Sequence, residues 1–171
     1  MTELFTALFD FMDRGGPVMW PMILITVLLW WLILERLWYF AKQYPPLLES
    51  TLARWQARPE RTSWYAELQQ RMYVSQLESA LGSRLPIIVT LIALLPMFGL
   101  LGTVTGMLQV FEVMAFMGSG NPRAMATGVS AATIPTMAGM VIALAALPFS
   151  SRLDLRYRKA KRELSDLFAK E

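Results

Sequence analysis

RLPIIVTLIALLPMFGLLGTVTGMLQVFE, from Arg84 to Glu112, holds 27 uncharged residues between its two terminal charges. A membrane-crossing helix needs about 20 predominantly apolar residues, so this run is more than long enough to span. The same pattern recurs on either side of it. Gly15 to Leu34 is a run of 20 uncharged residues, and the interval between Arg123 and Arg152 holds 28. A buried helix of a water-soluble protein rarely keeps such a run three times over. The expected architecture is an all-α integral membrane protein with three transmembrane helices, at about 18–40, 86–113 and 125–150. At 1.5 Å per residue the last two are each about 40 Å long, more than a ~30 Å hydrocarbon core, so they tilt or project beyond the lipid.

Composition agrees with that reading. Of 171 residues, 55% are hydrophobic and only 17% charged, against roughly a quarter charged in a soluble domain. Mean hydropathy is +0.41. His and Cys are both absent. That removes imidazole bases, thiol nucleophiles, disulfides and nearly every zinc, haem or iron–sulfur ligand set, so neither a metal nor another cofactor is expected. An enzyme is disfavoured for the same reason. Asp10 and Asp13 are the nearest approach to a carboxylate pair, and solvated surface charge explains them more simply.

Basic residues set the expected orientation. Lys42, Arg54, Arg58, Arg61, Arg71 and Arg84 lie in the segment between the first two spans. Seven more follow from Arg152 onward, and Arg36 ends the first span. Only Arg14 and Arg123 fall on the other side. The positive-inside rule then places the N-terminus outside and the C-terminus in the cytoplasm. This topology accounts for a pI of about 9.4 without a nucleic-acid partner.

The parts outside the spans read as helices too. Residues 2–14 carry Glu3, Asp10 and Asp13 rather than a basic leader. Leu4, Leu8, Phe11 and Met12 share one face, with Phe5 and Phe9 beside them, as in an interfacial periplasmic helix rather than a cleavable signal. Gly15-Gly16-Pro17 turns the chain inward. In the cytoplasmic segment 42–85, Pro45-Pro46 is expected to end the first helix. Leu48, Leu52 and Trp55 then recur at helical spacing up to Arg58-Pro59. Tyr65, Leu68, Met72, Leu77 and Leu81 continue the pattern, and Glu67/Arg71 form an i,i+4 pair. The tail 151–171 carries Leu153, Tyr157, Leu164, Leu167 and Phe168 among Arg and Lys. Both segments look like helical extensions that pack on one another, and their basic residues suit anionic phospholipid headgroups.

The second and third spans carry the functional signal. The first is bulky and aromatic, as a lipid-facing anchor should be. In the second, Gly99, Gly102, Thr103 and Gly106 fall on one side, so a neighbouring backbone can approach closely. In the third, Ala132, Pro135, Thr136, Gly139, Ala143 and Ala146 make a matching stripe. Pro135 cannot donate to the carbonyl of Ala131, which leaves that acceptor for a Thr hydroxyl or a water. Thr and Ser in membrane helices commonly bond to their own backbone. Here several hydroxyls sit at similar depth with no ionisable group among them. Such a pattern suits a narrow, weakly polar lumen of an oligomer. An intramembrane carboxylate is the default proton carrier, and this chain has none, since Glu112 reads as an outer interfacial charge. A proton path here needs a carboxylate from another protein.

These residues resemble the MotA/TolQ/ExbB family of proton-channel stator proteins. Pro21 together with Leu32-Ile33-Leu34-Glu35-Arg36-Leu37 is similar to the family's first helix and its inner end. Pro96-x-x-Gly99-Leu100-Leu101-Gly102-Thr103-Val104-x-Gly106-Met107 is similar to its second-helix signature. Ala132-Thr133-Ile134-Pro135-Thr136-Met137-Ala138-Gly139-Met140-Val141 is similar to the third helix of the short ExbB branch found in second TonB systems. The likeness spans about residues 16–160, within one proton-channel domain covering 1–171.

The resemblance implies a multi-pass protein of the bacterial cell inner membrane. It implies a homopentamer whose second and third helices surround a pore holding two copies of an ExbD-type single-span subunit. Proton flow would then drive TonB, energising outer-membrane uptake of siderophore-iron, haem or cobalamin. Thr103 and Thr136 would face the partner's Asp, with Thr105 and Thr133 as neighbours on the proton pathway. Gly99, Gly102, Gly106, Pro135 and Gly139 would serve helix packing. One departure matters: many relatives carry a Glu where this chain has Ala131. Proton transfer would therefore rest more fully on the partner and water. A TolQ-like motor of envelope constriction and a non-conducting scaffold that stabilises partner proteins are the alternatives.

Overall fold

A computed structural model describes residues 2–57, 64–117 and 122–169. The described residues are helical almost throughout. The elements are α1 (Thr2–Gly15), α2 (Met19–Trp38), a π-helical turn (Tyr39–Gln43), α3 (Tyr44–Gln56), α4 (Trp64–Gly82), α5 (Leu85–Met117) and α6 (Pro122–Ala169). Three helical stretches, within Met19–Trp55, Glu67–Phe116 and Met125–Leu164, are long and apolar enough to cross a membrane. The side chains of Leu4, Phe5 and Leu8, the expected stop at Arg58-Pro59, Arg61, and the side chains of Leu167 and Phe168 lie outside the described residues.

The chain divides into two compact units, residues 1–30 with 90–147 and residues 31–89 with 148–171. In the first unit, Gly16 takes a positive φ of 74°, which a side chain would resist, and this turns α1 into α2. Met22, Ile25 and Leu29 bury one stripe of α2 at i, i+3, i+7. Trp20, Leu24 and Val27 on its other side stay at least 60% exposed, which in a spanning helix means facing lipid or protein rather than water. The α5 and α6 helices run antiparallel, with Leu95 opposite Gly139 and Gly106 opposite Ala132.

The second unit packs around Trp55, Leu77, Leu81, Ala160 and Leu164, with Leu48, Leu52, Tyr73 and Tyr157 against them. Tyr65, Leu68 and Met72, expected on the same face as Leu77 and Leu81, are exposed. The buried stripe of α4 thus occupies only its C-terminal half. Arg36 is buried at 3% exposure and closes this unit at the end of α2. Its guanidinium donates to the Ala80 carbonyl (3.1 Å) and to Ser83 Oγ (2.8 Å). Ala80 lies in the last turn of α4, where carbonyls lack amide partners and a cation is favoured. Glu35 pairs with Arg84 at 2.9 Å on the same corner.

Pro45-Pro46 does not end a helical segment. The prolines occupy the first turn of α3, and the break in α-geometry falls just before them. The Tyr44 amide bonds five residues back, to the Tyr39 carbonyl. Two consecutive residues without an amide would starve the preceding turn of donors, and a widened turn accommodates that locally. Nor does α6 break after the third span; it continues unbroken for 48 residues.

Replacing Arg36 by Met leaves the Ala80 carbonyl without its donor and should cost about 1–3 kcal/mol. Arg84→Met removes a pair whose arginine is 47% exposed and should cost less than about 1 kcal/mol. Thermal unfolding of the purified protein in detergent should therefore rank Arg36→Met well below Arg84→Met.

Candidate functional site

The site is built on the seam between α5 and α6, and glycine makes the seam possible. A methyl group added at Gly106 would lie 2.5 Å from the Ala132 backbone nitrogen and 2.6 Å from its Cα. At Gly99 it would meet Thr136 Cα at 2.9 Å, and at Gly102 the Pro135 ring at 2.6 Å. These distances are below van der Waals contact, and at Gly99 and Gly106 the opposing atoms are backbone that cannot swing aside. Ala132, Pro135, Gly139, Ala143 and Ala146 are all buried, so the small-residue stripe of α6 faces protein along its length. Two further close approaches lie along the seam, at Gly139, expected to pack, and at Gly128, which the sequence reading did not single out. Gly128 packs on Val110, and Gly139 on the Leu95 carbonyl, which extends the seam beyond the glycine motif at both ends.

This contact brings one hydroxyl across the seam. Thr136 Oγ1 donates to the Gly99 carbonyl on α5 at 2.9 Å and to Ala132 on its own helix at 3.2 Å. A hydroxyl has one proton, so these two acceptors share it. Thr103, Thr105 and Thr133 bond differently. Thr103 donates to Leu100 (2.6 Å), Thr105 to Leu101 and Gly102 (3.1 Å each), and Thr133 to Val129 (3.1 Å) and Ser130 (3.3 Å). All are carbonyls of the hydroxyl's own helix, the usual behaviour of threonine in lipid. Of these four threonines, Thr136 is the one whose hydroxyl joins the two helices. The carbonyl of Ala131, freed by Pro135, accepts from neither Thr133 nor Thr136, whose bonds go elsewhere.

Every one of these hydroxyls keeps its oxygen lone pairs as acceptors after its proton is committed to backbone. The site offers acceptors to a protonated group and, by rotation of the O–H, a donor to an ionised one. It holds no titratable side chain between Leu85 and Phe111 or between Ala124 and Ser151. Among the described residues, no three His, Cys, Asp or Glu side chains converge as a metal site would need.

The sequence profile of the MotA/TolQ/ExbB proton channel family matches residues 43–166, most of the chain and all of this seam. The chain belongs to that family. It is also similar to Biopolymer transport protein ExbB of Aquifex aeolicus, at 34% identity over 92 residues, 54% of this chain and 60% of that protein. A protein of Synechocystis sp. named ExbB-like 1 is 44% identical over 61 residues, 34% of this chain and 24% of that protein. The matches therefore cover less than two thirds of either relative's length. No solved structure gives a significant match.

The seam leaves no room for larger side chains. Gly106→Leu should prevent close packing of α5 on α6 and lower stability by roughly 1–3 kcal/mol or more. Leu144→Ala, at a position 65% exposed, should change little. Melting of the two variants in detergent checks the contrast.

Proposed function

We propose that this chain is a proton-channel subunit of the bacterial inner membrane which, with an ExbD-type single-span partner, couples the proton motive force to TonB. In this reading it energises outer-membrane uptake of siderophore-iron, haem or cobalamin, and it is not an enzyme. Family membership supports the channel class. The observation that carries the site is Thr136, a hydroxyl at the α5–α6 seam within stretches, 85–111 and 124–151, that hold no carboxylate.

The chemistry of such a site is complementary to a carboxyl group carried by another chain. An ionised Asp at mid-membrane depth is costly, while its protonated form needs only a hydrogen-bond acceptor. The oxygens of Thr136 and Thr103 supply acceptors, with Thr105 and Thr133 close along the same helices. A partner Asp would thus be held neutral and loaded beside the hydroxyls, and would release its proton only where water reaches it. The chain guides the carrier; the partner carries the charge.

The proposed assembly is a homopentamer around a lumen lined by α5 and α6, with two partner helices inside. Large apolar side chains left exposed on both helices, among them Leu100, Val104, Leu108, Met137 and Val141, suit contacts with neighbouring copies and with lipid. The basic excess along segment 42–85 and the tail supports an N-out, C-in orientation, with anionic phospholipid at the cytoplasmic face.

Thr136→Val and Thr103→Val keep side-chain shape and remove the hydroxyl. Each should abolish TonB-dependent siderophore uptake while the protein stays in the membrane at its normal level, and Thr136→Ser should restore transport. Wild-type uptake in both valine variants, with loss of partner protein only on deletion of the chain, would favour the scaffold instead.

A further inference from the structure

Within the first unit, the C-terminal end of α1, the far end of α5 and the beginning of α6 enclose a cavity of about 1030 Å³. That is the upper end of the roughly 300–1,000 Å³ range of pockets that bury small organic molecules. Its wall carries two carboxylates, Asp13 and Glu112, and two guanidiniums, Arg14 and Arg123. All four residues are exposed, and among the described residues no ion pair holds any of them. Charges without protein partners need water or a charged ligand, because desolvating them alone is costly.

The same charges fix the depth of the cavity. Glu112 ends the uncharged run of α5, and Arg123 precedes that of α6. Charge is expelled from hydrocarbon, so both mark the level of the lipid headgroups. Ala131 also lines the cavity and lies eight residues further along α6, about 12 Å at 1.5 Å per residue. The space therefore reaches from headgroup level into the hydrocarbon. Its wall is mixed accordingly: Gln109 and Ser130 add amide and hydroxyl groups, while Val113 and Ala131 add apolar surface. On α1, Phe9 and Phe11 beside the charged end are exposed, which suits a helix seated among headgroups rather than in water.

We propose that the cavity binds a zwitterionic phospholipid with a primary ammonium, of the phosphatidylethanolamine class. Its phosphate lies on Arg14 and Arg123, its ammonium on Asp13 and Glu112, and the upper part of an acyl chain along Val113 and Ala131. Two charges of each sign match such a headgroup. An anionic phospholipid or a free phosphate satisfies the guanidiniums but sets its negative charge beside two carboxylates. A quaternary ammonium has the right charge and no N–H to donate to those carboxylates. A water-soluble zwitterion has nothing to place along the apolar wall. The bound lipid ties α1 to the ends of α5 and α6. The site requires only that the spans cross a bilayer, so it stands independently of proton conduction.

Photo-crosslinking of the full-length chain in phosphatidylcholine nanodiscs tests the site. The probe is a trace of phosphatidylethanolamine with a diazirine near the top of one acyl chain, and labelled peptides are mapped by mass spectrometry. Label should concentrate within residues 109–131. Unlabelled phosphatidylethanolamine should compete for it on the order of tenfold better than phosphatidylglycerol, the worth of one charge-assisted contact. Asp13→Asn with Glu112→Gln should abolish that preference while labelling persists, a change of selectivity that misfolding does not produce. Arg14→Gln with Arg123→Gln should lower labelling several-fold. Label equally strong around Trp20 and Leu24 on the exposed side of α2, or equal competition by the two lipids, means surrounding bilayer only and overturns the proposal. Displacement by millimolar inorganic phosphate marks a plain anion site and overturns it too. So does a cavity that takes no label, which water or a second copy then fills. A silent Thr136→Val removes the channel reading and leaves this outcome unchanged.

Discussion

Backbone-to-backbone contact between α5 and α6 is the constraint on which the rest depends. At Gly106 and Gly99 a single added methyl would collide with the opposing backbone, so no side chain larger than hydrogen fits between the helices there. Lipid tails are as apolar as leucine, and helices in a membrane gain little from burying apolar side chains against each other. Close contact over many atoms, with a hydrogen bond between helices, is what remains. The bond from Thr136 to Gly99 exists because glycine lets its carbonyl come within reach. Packing and chemistry at this seam therefore have the same cause.

The second unit draws on different physics. Trp55, Leu77, Leu81, Ala160 and Leu164 form a conventional apolar core of the kind that water enforces. Arg36 closes it with a charge directed at carbonyls that the α4 C-terminus leaves open. Continuous helices carry the chain from one kind of environment into the other. The 48 residues of α6 include both the tightest approaches of the seam and core residues of the second unit.

Much of this was readable before any coordinates. Charge-free runs define the spanning helices because a charge in hydrocarbon is expensive at every position. The stripe Gly99, Gly102, Gly106 and its counterpart on α6 could be read because helical periodicity alone places those residues on one face. What could not be read was pairing. No rule of spacing says that Gly99 meets Thr136 while Thr103 turns back to Leu100, since that depends on the relative translation of two helices. The docking of Arg36 was hidden for the same reason, its partners Ala80 and Ser83 being remote in sequence.

The central claim is that the chain offers a path but no carrier. Proton flux into proteoliposomes under an imposed membrane potential, followed with an internal pH-sensitive dye, tests it most directly. The account predicts that the purified chain alone gives no flux above empty vesicles, and that co-reconstitution with a single-span partner bearing a membrane-depth Asp produces it. Sustained flux through the chain alone would contradict the account.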